Sequence, residues 1–230
     1  MAFRSKLALF LSLIFGLIAG EATANPFREE TRFNFEVKIV LTDGTAEFIG
    51  SRVWQIHAWR DHTPFLDFYG TPSAVRGEAV PIEVPSVGVV YFLKRGRNDP
   101  STEAYGDFPT RCPGPGMRSE DAIKQLSNFI SPCEIRKASP LFVTAEKDAP
   151  VVKEVIIPWV GEGPCAPVCL ASIAISRTDQ ELSVGLVQAL PWLSLSQDLN
   201  AEIGTAHANW LESGYAKHPP FYRMDFSTEF

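Results

Sequence analysis

Residues 33–56 read FNFEVKIVLTDGTAEFIGSRVWQI, and this stretch decides the fold. Apolar and polar side chains alternate over residues 33–41, which is the pattern of a strand with one buried face and one wet face. Asp43-Gly44 then favours a tight type I′ turn, after which the chain returns through a second strand. Gly50 in the return strand predicts a β-bulge that shifts the later side chains by one face. The rest of the chain is expected to add β-structure to this hairpin.

Further strands are predicted from the same alternation and from short apolar runs bounded by turn residues. They cover residues 78–84, 89–93, 139–144, 151–159, 170–178 and 182–193. Pro81 places its strand at a sheet edge, because proline donates no ladder hydrogen bond. The unbroken apolar run 89–93 indicates a strand covered on both faces. Residues 59–77 are expected to form a packed loop, and the aromatic tail 210–230 is expected to dock as a final strand. The predicted fold class is mainly β, an antiparallel β-sandwich-like domain.

One short helix is predicted over residues 119–130, where apolar residues recur at helical spacing. The chain has four cysteines, an even number that allows three disulfide pairings. We expect the local pairs: Cys112–Cys133 tethers the helical segment, and Cys165–Cys169 closes a small loop. A Cys₄ zinc site and free thiols are the alternatives. Zinc sites usually offer two close cysteine pairs, whereas only Cys165 and Cys169 are close here.

The N-terminal residues have the pattern of a cleaved signal peptide. Arg4 and Lys6 precede an uncharged apolar run over residues 7–20, and Ala22-Thr23-Ala24 matches an A-x-A cleavage site. Residues 1–24 are therefore predicted to be removed, leaving a single β-rich exported domain over residues 25–230. Its location is predicted to be periplasmic or secreted. No segment of the mature chain approaches the ~20 apolar residues of a transmembrane helix.

The charge of the mature chain argues against nucleic-acid binding. Loss of Arg4, Lys6 and Glu21 reduces the 21 basic and 27 acidic residues to 19 and 26, a net charge of −7. Such a chain lacks the basic surface that binds phosphate backbones. The sequence also contains no Gly-rich phosphate loop, so no cofactor is predicted.

Trp54, His57 and Trp59 are the candidate ligand-binding residues. On the outer face of the hairpin they are expected to line a groove for a sugar or a peptide. The alternative is that these side chains fill the core or plug loops, as aromatic residues often do.

A hydrolase is the alternative function, with a site near His57, Asp61 and His62. Together with Ser51 these residues supply the side-chain types of a Ser/His/Asp triad, although the chain has no G-x-S-x-G nucleophile elbow. The two histidines and Asp61 are also candidate metal ligands, but no H-E-x-x-H motif is present. We assign no catalytic, cofactor-binding or metal-binding residue from the sequence.

Several short segments follow one another in the order and at the spacing found in a known family. They are Gly50-Ser51, Arg76-Gly77-Glu78-Ala79-Val80, Pro140-Leu141-Phe142-Val143-Thr144, Asp148-Ala149-Pro150, Val155, Pro158, the stretch 173–178 and Leu190-Pro191-Trp192-Leu193. Over residues 33–193 this arrangement resembles a family of exported bacterial proteins of uncharacterised function. The loop between Cys165 and Cys169 departs from that pattern. The resemblance implies one β-rich unit with no catalytic residues to carry over.

The sequence therefore predicts an exported, non-catalytic interaction or ligand-binding protein of the bacterial envelope. Its expected partner is an envelope protein or a small ligand, engaged through an exposed sheet edge or the aromatic loops. The competing prediction is the envelope hydrolase described above.

Overall fold

The computed structural model describes residues 28–61, 73–96, 132–135, 140–194, 202–203, 221–222 and 226. The strands are β1 (Arg28–Thr42), β2 (Glu47–Asp61), β3 (Ser73–Arg76), β4 (Val80–Val84), β5 (Gly88–Gly96), β6 (Cys133–Glu134), β7 (Pro140–Ala145), β8 (Val152–Val155), β9 (Cys169–Thr178), β10 (Glu202–Ile203) and β11 (Phe221–Tyr222). Helix α1 is Leu186–Ala189, and a 3-10 helix spans Pro191–Ser194. Two antiparallel sheets, ordered β3-β2-β1-β9-β6 and β4-β5-β7-β8, pack together. The predicted mainly β, sandwich-like fold is confirmed. Strands β10 and β11 pair separately.

The hairpin of β1 and β2 forms the centre of the first sheet. The two strands pair without a break from Arg28 opposite Asp61 to Thr42 opposite Glu47, and β9 pairs along the other side of β1. Alternate residues of β1 are buried, as the sequence predicts. They are Phe33, Phe35, Val37, Ile39 and Leu41. These side chains face the second sheet and form one wall of the main core.

The main core lies between the sheets, where side chains from both inner faces interdigitate. From the second sheet and the connecting segments it takes Val80, Ile82, Val84, Val90, Phe92, Phe142, Ile135, Ile157 and Val168. Full burial of each large apolar side chain contributes about 1.5–3 kcal/mol to stability.

Gly50 does not form the predicted bulge. It pairs with Ile39 in an unbroken β1–β2 register, so no side chain changes face. The irregularity lies on the other side of β1, between Val40 and Leu41 in the pairing with β9. Gly50 is required instead by close packing of the sheets, since a Cβ atom there would lie 2.4 Å from the carbonyl oxygen of Pro81.

The hairpin turn lies where the sequence places it, but its type differs from the prediction. Residues 43–46 form a four-residue loop in which Gly44 has φ +93°, rather than a two-residue I′ turn. The Asp43 carboxylate organises this loop. Its Oδ1 atom accepts hydrogen bonds from the backbone N–H groups of Ala46 and Thr45 and from the Thr45 hydroxyl, each at 2.8 Å. These bonds, first that from Ala46, lower the pKa of Asp43 below its ordinary value of 3.8.

The contribution of Asp43 to stability is expected to depend on pH. Because its pKa is lower in the folded chain, its stabilising effect is complete above the ordinary value of 3.8 and is lost as pH falls through the folded value. Thermal melts of wild type and Asp43→Ala should therefore differ most at neutral pH and converge in strong acid. A difference in melting temperature that stays constant throughout this range would contradict the assignment.

The second sheet is covered on both faces, as the apolar run in β5 predicts. Val90 and Phe92 face the main core. Tyr91 and Leu93 face a second cluster on the outer side, and burial raises the pKa of Tyr91. The other buried members of the second cluster are Ala79, Leu141, Val143, Leu186, Leu190, Trp192, Leu193 and Phe226. The predicted edge position of β4, which carries Pro81, is also confirmed.

Residues 182–193 are not the predicted strand. After β9 the chain crosses over β1, where the Asn34 side-chain amide donates to the Gln180 carbonyl oxygen at 2.8 Å. Ser183 then meets the far edge of β2: its N–H donates to the Val53 carbonyl oxygen, and its hydroxyl accepts from the Val53 N–H. This crossing segment, residues 179–185, leads into α1 and the 3-10 helix on the second sheet.

Three further predictions concern the loop at residues 59–77, the aromatic tail and the tethered helix. The segment 59–77 contains the end of β2 and the short strand β3, so it is not loop throughout. The described part of the aromatic tail does not join either main sheet as the predicted final strand: β11 pairs with β10 in a separate two-stranded sheet. Phe226 does dock, since it is buried in the second cluster and its carbonyl oxygen accepts from the Ala79 N–H. The predicted helix 119–130 and Cys112 lie outside the described residues, although Cys133 is disulfide-bonded. Among the residues that are described, no helix is long and apolar enough to cross a membrane.

Candidate functional site

Trp54 lies inside the sandwich, so it does not line the predicted aromatic groove. Trp54 has no exposed surface; its ring stacks on Phe92 at 6.0 Å and meets Phe35 edge-on at 6.1 Å. Trp54 and His57 are three residues apart on one strand, so they point to opposite faces. For Trp59, the structure places only the backbone, which pairs with Glu30.

His57 belongs to a small cluster of charged residues on the outer face of the first sheet. Its Nε2 atom lies 2.7 Å from Glu30 Oε2, and Arg32 Nη2 lies 3.6 Å from the same oxygen. The side chains of Glu30 and Arg32 are about half exposed. Ion pairs this exposed contribute about 0–1 kcal/mol. His57, whose side chain is 19% exposed, is therefore a half-buried residue of this outer face that pairs with a carboxylate.

Strand geometry excludes a catalytic contact between Ser51 and His57. Ser51 and His57 lie six residues apart on β2, whose pairing with β1 is continuous. A strand rises ~3.3 Å per residue, so the two side chains are about 20 Å apart. Asp61 ends β2, and His62 lies beyond the described residues. No group of three or more potential metal-ligating side chains occurs within the described ranges.

A buried carboxylate that the sequence analysis did not single out connects several parts of the fold. Glu78 is 1% exposed, and its Oε1 accepts hydrogen bonds from the N–H groups of Gly185 and Leu186, both at 2.9 Å. Arg52 Nε lies 3.9 Å from Glu78 Oε2. The carbonyl oxygen of Glu78 accepts from the Trp54 indole N–H at 2.7 Å. Glu78 thus joins β2, the approach to β4 and the start of α1.

One signal in the sequence marks Glu78. It has the same parity as Val80 and Ile82, whose side chains face the core, so an acidic residue stands in line with a buried face. Lys94, which is also 1% exposed, stands opposite Glu78 when the β4–β5 register is continued. Buried charges of this kind are retained where they are paired and hydrogen-bonded. We interpret this cluster as a structural joint.

The most distinctive surface feature is the segment from Ile156 to Cys169, here called the disulfide loop. A disulfide joins Cys165 to Cys169, which confirms one predicted pair. The segment follows β8 and leads into β9. Ile156 is 66% exposed and Val160 is 56% exposed, among the most exposed large apolar side chains of the described residues.

The backbone that carries these two side chains is firmly held. Val160 N–H donates to the Leu170 carbonyl oxygen at 3.0 Å, and Leu170 N–H donates to the Pro158 carbonyl oxygen at 2.8 Å. Ile157 is buried in the main core, and Trp159 packs against it. Ile156 and Val160 flank these two core-facing residues and are both exposed. The loop thus presents apolar side chains from an ordered backbone.

Two packed antiparallel sheets with an outer layer and a disulfide-closed loop define a β-sandwich-like protein. Comparison with protein-family models, with curated proteins and with solved structures found no match to the chain.

Proposed function

We propose that this chain is an exported, non-catalytic interaction protein of the bacterial envelope that binds a partner protein through the disulfide loop. The observation that carries the proposal is the exposure of Ile156 and Val160 on a backbone fixed by hydrogen bonds and core packing. Exposed apolar side chains release free energy when a partner covers them.

Preorganisation supports the choice of this loop over the sheet edges. A loop already held in one conformation loses little entropy on binding, so more of the contact energy appears as affinity. The edge strands β3, β4, β6 and β8 are two to five residues long. Short edges offer few backbone groups for the addition of a partner strand. We therefore place partner binding on the disulfide loop rather than on an edge.

Export is supported by the signal-peptide pattern of residues 1–24 and by the Cys165–Cys169 disulfide. Disulfides form and persist in oxidising compartments such as the bacterial periplasm. The resemblance over residues 33–193 points the same way. Cleavage after Ala24 removes the apolar run and leaves Asn25 as the first residue.

The proposal is tested by the double substitution Ile156→Asp with Val160→Asp. Immobilised mature protein is exposed to an extract of the source cell envelope, and the captured proteins are quantified by mass spectrometry. We expect the double variant to capture its specific partner at least about tenfold less well than wild type, because interface anchors typically cost more than 1 kcal/mol.

A second double variant provides the matched control. Ile49 is 54% exposed on β2 and Val184 is 71% exposed on the crossing segment, so Ile49→Asp with Val184→Asp adds the same charge at equally exposed β-branched positions. This variant should capture the partner as wild type does. Equal loss in both variants, or no protein lost selectively from the Ile156/Val160 variant, would refute the proposal.

A further inference from the structure

The two sulfur-bearing residues of the disulfide loop differ in accessibility. Cys165 is partly exposed and lies between Pro164 and Ala166, both of which are exposed. Cys169 has no exposed surface; it is the first residue of β9 and pairs with Thr42 of β1. A soluble thiol therefore meets Cys165 first.

We propose that the Cys165–Cys169 disulfide is a redox gate for partner binding, opened by an envelope dithiol that attacks Cys165. The inference rests on the proposed function, since it assigns regulation to the same loop. In the oxidised form the loop is ordered and binds. In the reduced form the segment 161–168 loses its covalent closure while the backbone at Ile156 and Val160 stays held, and binding weakens because the partner also lies against this neighbouring segment.

The reaction is a thiol–disulfide exchange in two steps. A thiolate of the dithiol attacks Cys165 Sγ, forming a mixed disulfide and breaking the Cys165–Cys169 bond. Cys169 leaves as a thiolate and takes up a proton. The second thiolate of the dithiol then attacks its partner sulfur in the mixed disulfide and releases Cys165. The protein gains two electrons and two thiols, and the dithiol becomes a disulfide.

Opening the bond changes what holds the loop. The hydrogen bonds between Val160, Leu170 and Pro158 remain, and Glu162 N–H still donates to the Trp159 carbonyl oxygen. The segment 161–168 is then closed only by these backbone bonds. The disulfide pays in advance the entropy of closing the five-residue ring 165–169. Without it, partner binding must order this ring, which lowers the affinity about thirtyfold.

The point of attack is tested with single variants of the two cysteines. In Cys169→Ser the remaining thiol is Cys165, and in Cys165→Ser it is Cys169. Under native conditions, Cys165 should react with an aromatic disulfide reagent at least about tenfold faster than Cys169, because access limits the rate at a buried sulfur. Equal rates, or faster reaction at Cys169, would overturn the assignment.

The gate itself is tested with the double variant Cys165→Ser with Cys169→Ser in the envelope-extract capture assay. We expect about thirtyfold weaker capture, with Cys112→Ser and Cys133→Ser together as the control that retains it. A thermal melt checks folding. Where the variant unfolds, the Cys112→Ser with Cys133→Ser protein, reduced with dithiothreitol and alkylated under native conditions, replaces it, because Cys165–Cys169 is then the disulfide that reduction opens.

The two proposals fail differently in this assay. Capture that requires Ile156 and Val160 but is unchanged by loss of the Cys165–Cys169 bond refutes the gate alone. Capture that never depends on Ile156 and Val160 refutes the binding loop, and the gate falls with it. Weaker capture after loss of this bond, with the control unchanged, supports both.

Discussion

Replacing Glu78 with alanine is expected to lower the free energy of unfolding by about 3–5 kcal/mol, because it removes a buried carboxylate that accepts two backbone hydrogen bonds. The substitution leaves the N–H groups of Gly185 and Leu186 without their acceptor and removes the carboxylate beside Arg52. Helix α1 has four residues and cannot form without tertiary contacts. Denaturant unfolding monitored by far-UV circular dichroism measures the change.

Two further variants test whether the loss of stability comes from the contacts of Glu78 and not from the removal of any acidic side chain. Glu83 lies exposed on the adjoining strand β4, so Glu83→Ala should change stability by less than about 0.5 kcal/mol. Glu78→Gln keeps a side-chain oxygen for the two N–H groups and should fall between Glu78→Ala and wild type. Equal stability of the Glu78→Ala and Glu83→Ala variants would show that the joint is not a structural element.

Replacing Trp54 with alanine is expected to lower stability by about 3–5 kcal/mol, since it opens a cavity between the sheets. The ring lies against Phe35 and Phe92, and its indole N–H satisfies the carbonyl oxygen of Glu78. Equilibrium unfolding again provides the measurement. Trp54→Phe retains most of the volume but leaves that carbonyl oxygen without its donor, so a smaller loss of about 1–3 kcal/mol is expected.

His57→Ala is the control on the same strand, because His57 lies on the opposite face and pairs with Glu30. Its effect should be below about 1 kcal/mol. If the Trp54→Ala protein were as stable as wild type yet bound its partner poorly, Trp54 would be a ligand-binding residue, as the sequence predicts, and not a core residue.

The features that sequence predicts well are those set by local alternation. Which residues of β1 face the core is predicted by the alternation of apolar and polar side chains along the strand. The unbroken apolar run of β5 predicts that both faces of that strand are covered. The edge position of β4 is predicted for an equally local reason, because Pro81 has no backbone N–H to donate to a neighbouring strand. The Cys165–Cys169 pair follows from short separation along the chain.

The features that sequence predicts poorly depend on what packs from elsewhere. Gly50 is expected to form a bulge, but its real constraint is the carbonyl oxygen of Pro81 across the sheets, which the local sequence does not reveal. Residues 182–193 are short apolar runs that suit a strand or a helix until their partners are known. The parity of Glu78 marks it as unusual, yet its acceptor role depends on Gly185, 107 residues later.

The central claim, that the disulfide loop is the binding surface, is tested most directly by photo-cross-linking in intact cells. A photoreactive amino acid is placed at Val160 in one strain and at Val184, which is 71% exposed, in another. We predict one specific adduct with an envelope protein from position 160 and its disappearance when Ile156→Asp is added. The same adduct from both positions, or none from position 160, would contradict the account.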